Sequence, residues 1–222
     1  MTTTHMEGAW REATASFSKD VANKWWSNLV EKYTDRGGGN RNLQDVESKF
    51  RHFETVKEVL KNPNAVALAL FFHHYEYDLK DGDFNAKNME HFKTFANEAG
   101  IQTESELYTQ VLDLMEAAST HSTDEHKMTG AYGSEDHHYF LDIDIIELGS
   151  SPEDYERFAA KIRQEYDFMT EDMYRTFRRK VLQSFSLIPN IFATKEFRDK
   201  FESQARANMK KEVEDMQASE ST

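Results

Sequence analysis

Two adjacent histidines, His73 and His74, close an apolar run and are followed at once by acids. Residues 71–78 read FFHHYEYD, and the run before them, residues 65–70 (AVALAL), holds no polar residue. An imidazole beside such a run is either a core side chain tied to a backbone carbonyl or part of a site. More imidazoles stand in or beside residues 119–136: His121, His126, His137 and His138. Acids lie close by at Asp78, Glu116, Asp136, Asp142 and Asp144. Imidazole and carboxylate together suit a divalent ion such as Mn, Fe, Co, Mg or Zn. Consecutive helical residues diverge by about 100°. His73 and His74 therefore share an ion only in the groove between their helix and a neighbour, with further ligands from other helices. The stretch LDIDIIELG, residues 141–149, is the best source, because Asp142 and Asp144 interrupt an otherwise apolar segment. A buried carboxylate there needs a partner, and a cation serves. The plainer alternatives are a cap or salt bridge for these two acids and a solvated loop for His126, His137 and His138.

The elements that must carry these groups are helical. Phe17, Val21, Trp25 and Leu29 fall at steps of four, and Leu43, Val46, Phe50, Phe53, Val56 and Leu60 alternate steps of three and four. Leu107, Val111, Leu114 and Met115 follow the same period, as do Met173, Phe177, Val181, Leu182 and Phe185, then Phe197, Phe201, Ala205 and Met209. Pro63, flanked by Asn62 and Asn64, marks a stop and restart. SSPED (150–154) reads as a helix start capped by Ser151, and DRGGGN (35–40) as a break between helices. The spacing predicts one all-α domain over residues 13–214 with roughly eight or nine helices, a loop over 119–136, and disordered tails at 1–12 and 215–222.

Composition narrows the function classes. A chain of 222 residues can bury a sizeable core. The formal net charge of −13 argues against a broad surface for a nucleic-acid polymer. No segment approaches the roughly 18 apolar residues of a membrane span, and the first residues lack the basic and apolar regions of a signal peptide. The absence of cysteine excludes disulfides and zinc–thiolate sites and fits a reducing, cytoplasmic setting.

Read in order, the motifs resemble the HD-domain superfamily, and within it the group described as predicted metal-dependent HD phosphohydrolases. That group's pattern runs from a Trp-Leu-Tyr helix through YHNLEHI and WFHDxVYD to LDxDLxxLG. Here Trp25, Trp26, Leu29 and Tyr33 are followed by NRNLQDV (40–46), ALALFFHHYEYD (67–78), ASTH (118–121) and FLDIDIIELGSS (140–151). IRQEYDFM (162–169), RRKVLQSF (178–185), IFAT (191–194) and ARANM (205–209) complete a collinear match over about residues 20–212. The resemblance implies an all-α HD-type bundle and a divalent-metal phosphohydrolase acting on a small phosphorylated compound such as a nucleotide. The family's ligands are an early His, a His-Asp doublet and a late Asp. The doublet His matches His73, the doublet Asp is here His74, and the late Asp matches Asp144, with Asp142 as a near alternative. The two early histidine positions are Arg41 and Asp45.

Two readings follow. If Asp45 is the early ligand, Asp45, His73, His74 and Asp144 still offer two imidazoles and two carboxylates, with His121 as a fifth group. If Arg41 is, its guanidinium cannot coordinate a metal and takes the cation's place. The protein is then a metal-free relative that binds a ligand or a protein partner, including a second copy of itself. In the enzyme reading Glu76 and Asp78 are bases or orienters of the histidines, and Arg41, Arg178, Arg179 and Lys180 are substrate-phosphate contacts.

Overall fold

The computed structural model describes residues 2–79, 82 and 84–218. Among these the chain is all-helical: α1 (Thr4–Ala13), α2 (Lys19–Thr34), α3 (Leu43–Val56), α4 (Pro63–Phe72), α5 (Phe84–Ala99), α6 (Glu106–Ala117), α7 (Asp124–Lys127), α8 (Asp136–Asp144), α9 (Pro152–Glu165), α10 (Glu171–Leu187) and α11 (Lys195–Ala218). Two short 3-10 turns cover Lys57–Val59 and Ile146–Gly149. The two helices beyond the expected number are instructive. α1 lies in the stretch read as a tail, where Met6, Ala9, Trp10 and Ala13 are all buried. The Glu47 carboxylate on α3 accepts from the His5 and Met6 amides at 3.0 and 2.9 Å, satisfying amides at the start of α1. α7 is a single turn inside the stretch read as a loop. Of the expected C-terminal tail, 215–218 continue α11, and 219–222 lie outside the described residues.

The chain groups into two compact units. The first holds α1–α6, the turn through His121, and α8. Its centre is α4, whose residues from Ala65 to Phe72 are all buried. A helix apolar on every side can only be a core helix, and α4 packs against α1, α3, α5, α6 and α8. Phe71 stacks on Phe50 with ring centroids 4.2 Å apart, and Phe72 on Phe95 at 5.4 Å. Trp25 is buried, with its indole N–H on Glu98 at 2.9 Å. Trp26 touches Phe71 edge-on at 6.4 Å, so both adjacent tryptophans reach the aromatic core.

The second unit holds α7 and α9–α11 with the 146–149 turn. Ser151 caps α9 with Pro152 in its first turn, as its sequence predicts. Gly149 meets α11 so closely that a Cβ there would lie 2.6 Å from the Phe201 Cβ. α10 differs from its expected facing. Its buried positions are Tyr174, Arg178 and Leu182, whereas Met173 is 58% exposed. The reason is Arg178, a charged residue that the apolar count skipped and that folds inward onto Glu212.

Candidate metal centre

The site forms where α4 ends. The helix stops at Phe72, His73 is its C-cap with helical dihedrals, and the chain then turns. The two histidines therefore do not both sit on the apolar helix, as the run AVALAL suggests. Leaving the helix removes the 100° divergence, and their rings lie together with centroids 4.0 Å apart. The turn is held by side chains. The Tyr33 hydroxyl donates to the Phe71 carbonyl at 2.7 Å. Asn88, fully buried on α5, donates to the carbonyls of His73 at 2.7 Å and Glu76 at 2.9 Å, and accepts from the Glu76 amide. Arg36 donates to the carbonyls of His74, of Tyr75 at 3.0 Å, and of Arg41 at 2.7 Å. The carbonyls that a helix end leaves without partners are thus answered from α2, the turn after it and α5, which fixes the direction of both rings.

Both rings point at Asp144, the last residue of α8. His73 Nε2 lies 3.3 Å from Oδ2 and His74 Nε2 2.9 Å from Oδ1. His121, half-buried in the turn after α6 and at φ +46°, brings its Nε2 to 3.1 Å from Oδ2. The donors of His73, His74 and Asp144 lie within 4.8 Å of one another, which places them in reach of one ion. Two ligands at right angles, each about 2.1 Å from an ion, are roughly 3 Å apart. The observed separations match that spacing, and they match hydrogen bonds equally well.

A fourth group settles how the carboxylate is satisfied. Lys49 of α3, buried, donates from its ammonium to the Asp144 backbone carbonyl and lies 3.3 Å from Oδ1. Each carboxylate oxygen thus receives two donors: Lys49 and His74 on Oδ1, His73 and His121 on Oδ2. A carboxylate offers about four lone-pair sites, so Asp144 is saturated. Burial pushes its carboxyl up, but the Lys49 ammonium, the two imidazoles and the His121 bond together hold it well below the usual carboxylate range. Burial, then the His73 ring and the Arg41 guanidinium, holds His74 well below the ordinary imidazole value, against the pull of Asp144. Donation from Nε2 leaves Nδ1 as the acceptor, and Nδ1 of both His73 and His74 is buried without a hydrogen-bond partner.

The other expected site residues are placed as follows. Asp45 is not in the cluster; it sits in the first turn of α3, where it accepts from the Asn42 amide at 3.2 Å in a capping box. A short acid three residues after an Asn cap is drawn to that amide, so the predicted fourth ligand is a helix cap. Arg41 has φ +55° and stacks on Tyr77, its guanidinium carbon 3.8 Å from the ring centre. The cation lodged against Asp144 is Lys49, not Arg41. Of the two late acids, Asp144 is the one in the cluster. Asp142, buried two residues away on α8, lies about 200° round that helix.

Glu76 is bound by Lys32 at 2.8 Å and His91 at 3.2 Å. Burial raises its pKa, and these partners outweigh that and lower it, which leaves a poor base. Asp78 is exposed and is not one of the converging donors. Arg178, Arg179 and Lys180 belong to α10, in the second unit. Arg178 is buried in a two-pronged bond to Glu212 at 2.8 and 3.1 Å, so it is a structural ion pair rather than a substrate contact. Lys180 is exposed. His126 and His138, read as solvated, are buried caps: their Nδ1 atoms accept from the Thr123 and Glu135 amides, each at 3.1 Å.

The groups that sequence reading missed are Lys49, Arg36 and Asn88. Lys49 leaves one signal, a basic residue one position before Phe50 in an otherwise apolar period of α3. Comparison of the chain with family models, curated proteins and solved structures finds no match.

Proposed function

We propose that the first unit is a divalent-metal centre of the HD type that hydrolyses a small phosphorylated compound. The observation that carries this reading is the convergence of three Nε2 atoms, two from the turn after α4 and one from the turn after α6, on one buried carboxylate, with the backbone carbonyls of the turn that carries His73 and His74 tied down. Chain termini of helices favour cations at their C-terminal ends, and the cluster is built where α4 and α8 both end. His73, His74 and Asp144 are the residues that would hold the ion. When bound, such an ion polarises a phosphoryl oxygen and lowers the pKa of water. The chain's own part is orientation. Asn88 and Arg36 fix the histidine turn, and Arg41, stacked on Tyr77 near His74, is placed to meet a phosphate. His121 is the cluster imidazole with access to solvent, 32% exposed, and so is the group able to pass a proton to water. With Glu76 committed to Lys32 and His91, it takes the role that the sequence assigned to the acids behind the doublet.

The test is elemental analysis of protein purified without chelator, beside His73→Ala, followed by a phosphatase screen across nucleotides with added Mn²⁺, Co²⁺, Mg²⁺ or Zn²⁺. Near-stoichiometric metal that falls to background in the variant, with metal-dependent phosphate release, is the expected result. A metal-free protein that gains no activity with any ion overturns it.

One observation favours a second reading. Lys49 already neutralises Asp144, and a saturated carboxylate needs no ion. On that reading the chain is an inactive HD-type relative that binds a ligand or a protein, and the metal-free outcome is its signature.

A further inference from the structure

The cluster holds its charges in an unusual balance. Among the described residues Asp144 is the sole acid of the converging set, and Lys49 is paired with it. The imidazoles add no negative charge. Around this neutral core stand Arg41, close enough to act on His74, and Arg36, which bridges the carbonyls of Arg41, His74 and Tyr75. A divalent ion entering here meets one carboxylate already paired with an ammonium and would leave about two positive charges without a counter-charge in a buried site. Uncompensated buried charge is costly. The outer partners that usually strengthen ligating imidazoles are missing too, because Nδ1 of His73 and of His74 has no bond.

We infer that this site takes its divalent ion together with an oxyanion, the two binding as a linked pair and each weakly alone, with Lys49 as the residue that imposes the linkage. The inference rests on the metal reading above: a dianionic phosphoryl group supplies the charge that Asp144 cannot. A site with two free carboxylates would hold its ion before substrate arrives. Here the resident ammonium makes the anion a condition of metal retention. Linkage is reciprocal, so the ion raises anion affinity by the factor by which the anion raises ion affinity.

The experiment measures Mn²⁺ binding to the intact protein, by the EPR signal of the free ion, in chloride buffer and with inorganic phosphate or sulfate added. Phosphate binding is then measured by calorimetry with and without Mn²⁺. The expected result is a gain in Mn²⁺ affinity on adding phosphate in the ordinary range of coupling, roughly 5- to 150-fold, with the same factor in the reciprocal titration. Lys49→Met keeps the stem and removes the charge, and in it Mn²⁺ binds without phosphate while the phosphate gain shrinks several-fold. Lys49→Gln serves if the methionine variant does not fold, and the linkage in the native protein stands as a test without either. Native protein that binds Mn²⁺ equally with and without phosphate overturns the inference and leaves the metal centre standing. A phosphate gain that survives both Lys49 substitutions overturns the role given to Lys49. No Mn²⁺ binding under any condition removes the metal centre and the inference with it.

Discussion

α4 and α8 run side by side in the same direction, and each end of the pair carries an acid from α8. At the start, Asp136 accepts from the backbone amides of Lys61 and Asn62 at 2.8 and 2.7 Å, just ahead of α4. At the finish, Asp144 accepts from three imidazoles and an ammonium. The residue type and the helix are the same, and the electrostatic settings are opposite. A carboxylate near helix N-termini is favoured by the dipole and by unpaired amides. A carboxylate at the last residue of α8, beside the end of α4, is disfavoured on both counts and is stable only with cationic or strongly donating neighbours. Asp136 is therefore explained by folding alone. Asp144 demands the cluster around it, and that demand is what sets it apart as a site.

The largest effect should come from breaking the second setting. Asp144→Asn keeps the shape and removes the charge, leaving the Lys49 ammonium buried without its counter-ion. Removing one partner of a buried pair costs about 3–5 kcal/mol, and denaturant unfolding should show a loss of that size. A loss under about 1 kcal/mol would mean that the pair is better solvated than its burial implies. Next in size is pH. In chelator-treated protein the folded pKa of His74 lies well below its ordinary value of 6.5, so the unfolded chain takes up a proton first as pH falls. Stability is full above about pH 7 and falls below it, with a slope approaching 1.4 kcal/mol per unit. Asp144, also depressed, adds a second loss only below about pH 4, where the unfolded carboxyl protonates. Denaturation of His74→Gln across the range of pH 5–7 should lack the first slope, and an unchanged slope would assign it elsewhere.

A smaller effect tests the turn that separates the two settings. Asn88→Ala leaves the carbonyls of His73 and Glu76 and the Glu76 amide without the partner that Asn88 provides. Buried groups stripped of partners cost about 1–3 kcal/mol. The same variant should blur the convergence of His73 and His74, read by broadening of their imidazole resonances. A stable variant with sharp, unmoved resonances would show that Arg36 and Tyr33 hold the turn without Asn88.

Much of this was legible in the residues, and the misses have physical causes. The all-α class, the cap at Ser151 and the restart at Pro63 follow from period and punctuation. His73, His74 and Asp144 stand out because polar donors in apolar runs are costly unless gathered, whereas His121, in a polar stretch, enters only through the resemblance. Lys49 did not stand out, because a lysine on an amphipathic helix is ordinarily solvated, and only the end of α8 ninety-five positions later makes it a core residue. Asp45 misled because a cap and a ligand share one residue type. α1 was readable: Met6, Ala9, Trp10 and Ala13 keep helical spacing, but its amides are answered by Glu47 rather than by a local cap. Arg178 shows the opposite error, a charged residue in an apolar period that defines the buried face once Glu212 meets it.

The smallest effect lies at the other end of α4. Asp136→Ala removes the acceptor of two amides, one exposed and one half-buried, while the Asn62 side chain still accepts from Ala65 at 3.1 Å. Water can replace much of what is lost, so the cost should be that of an ordinary cap, about 1 kcal/mol. Metal retention should be unchanged in this variant, because Asp136 contributes nothing to the cluster at Asp144. A variant that lost bound metal would show that the two ends of α8 move as one body, and the contrast between the two carboxylates would then fail at its simplest point.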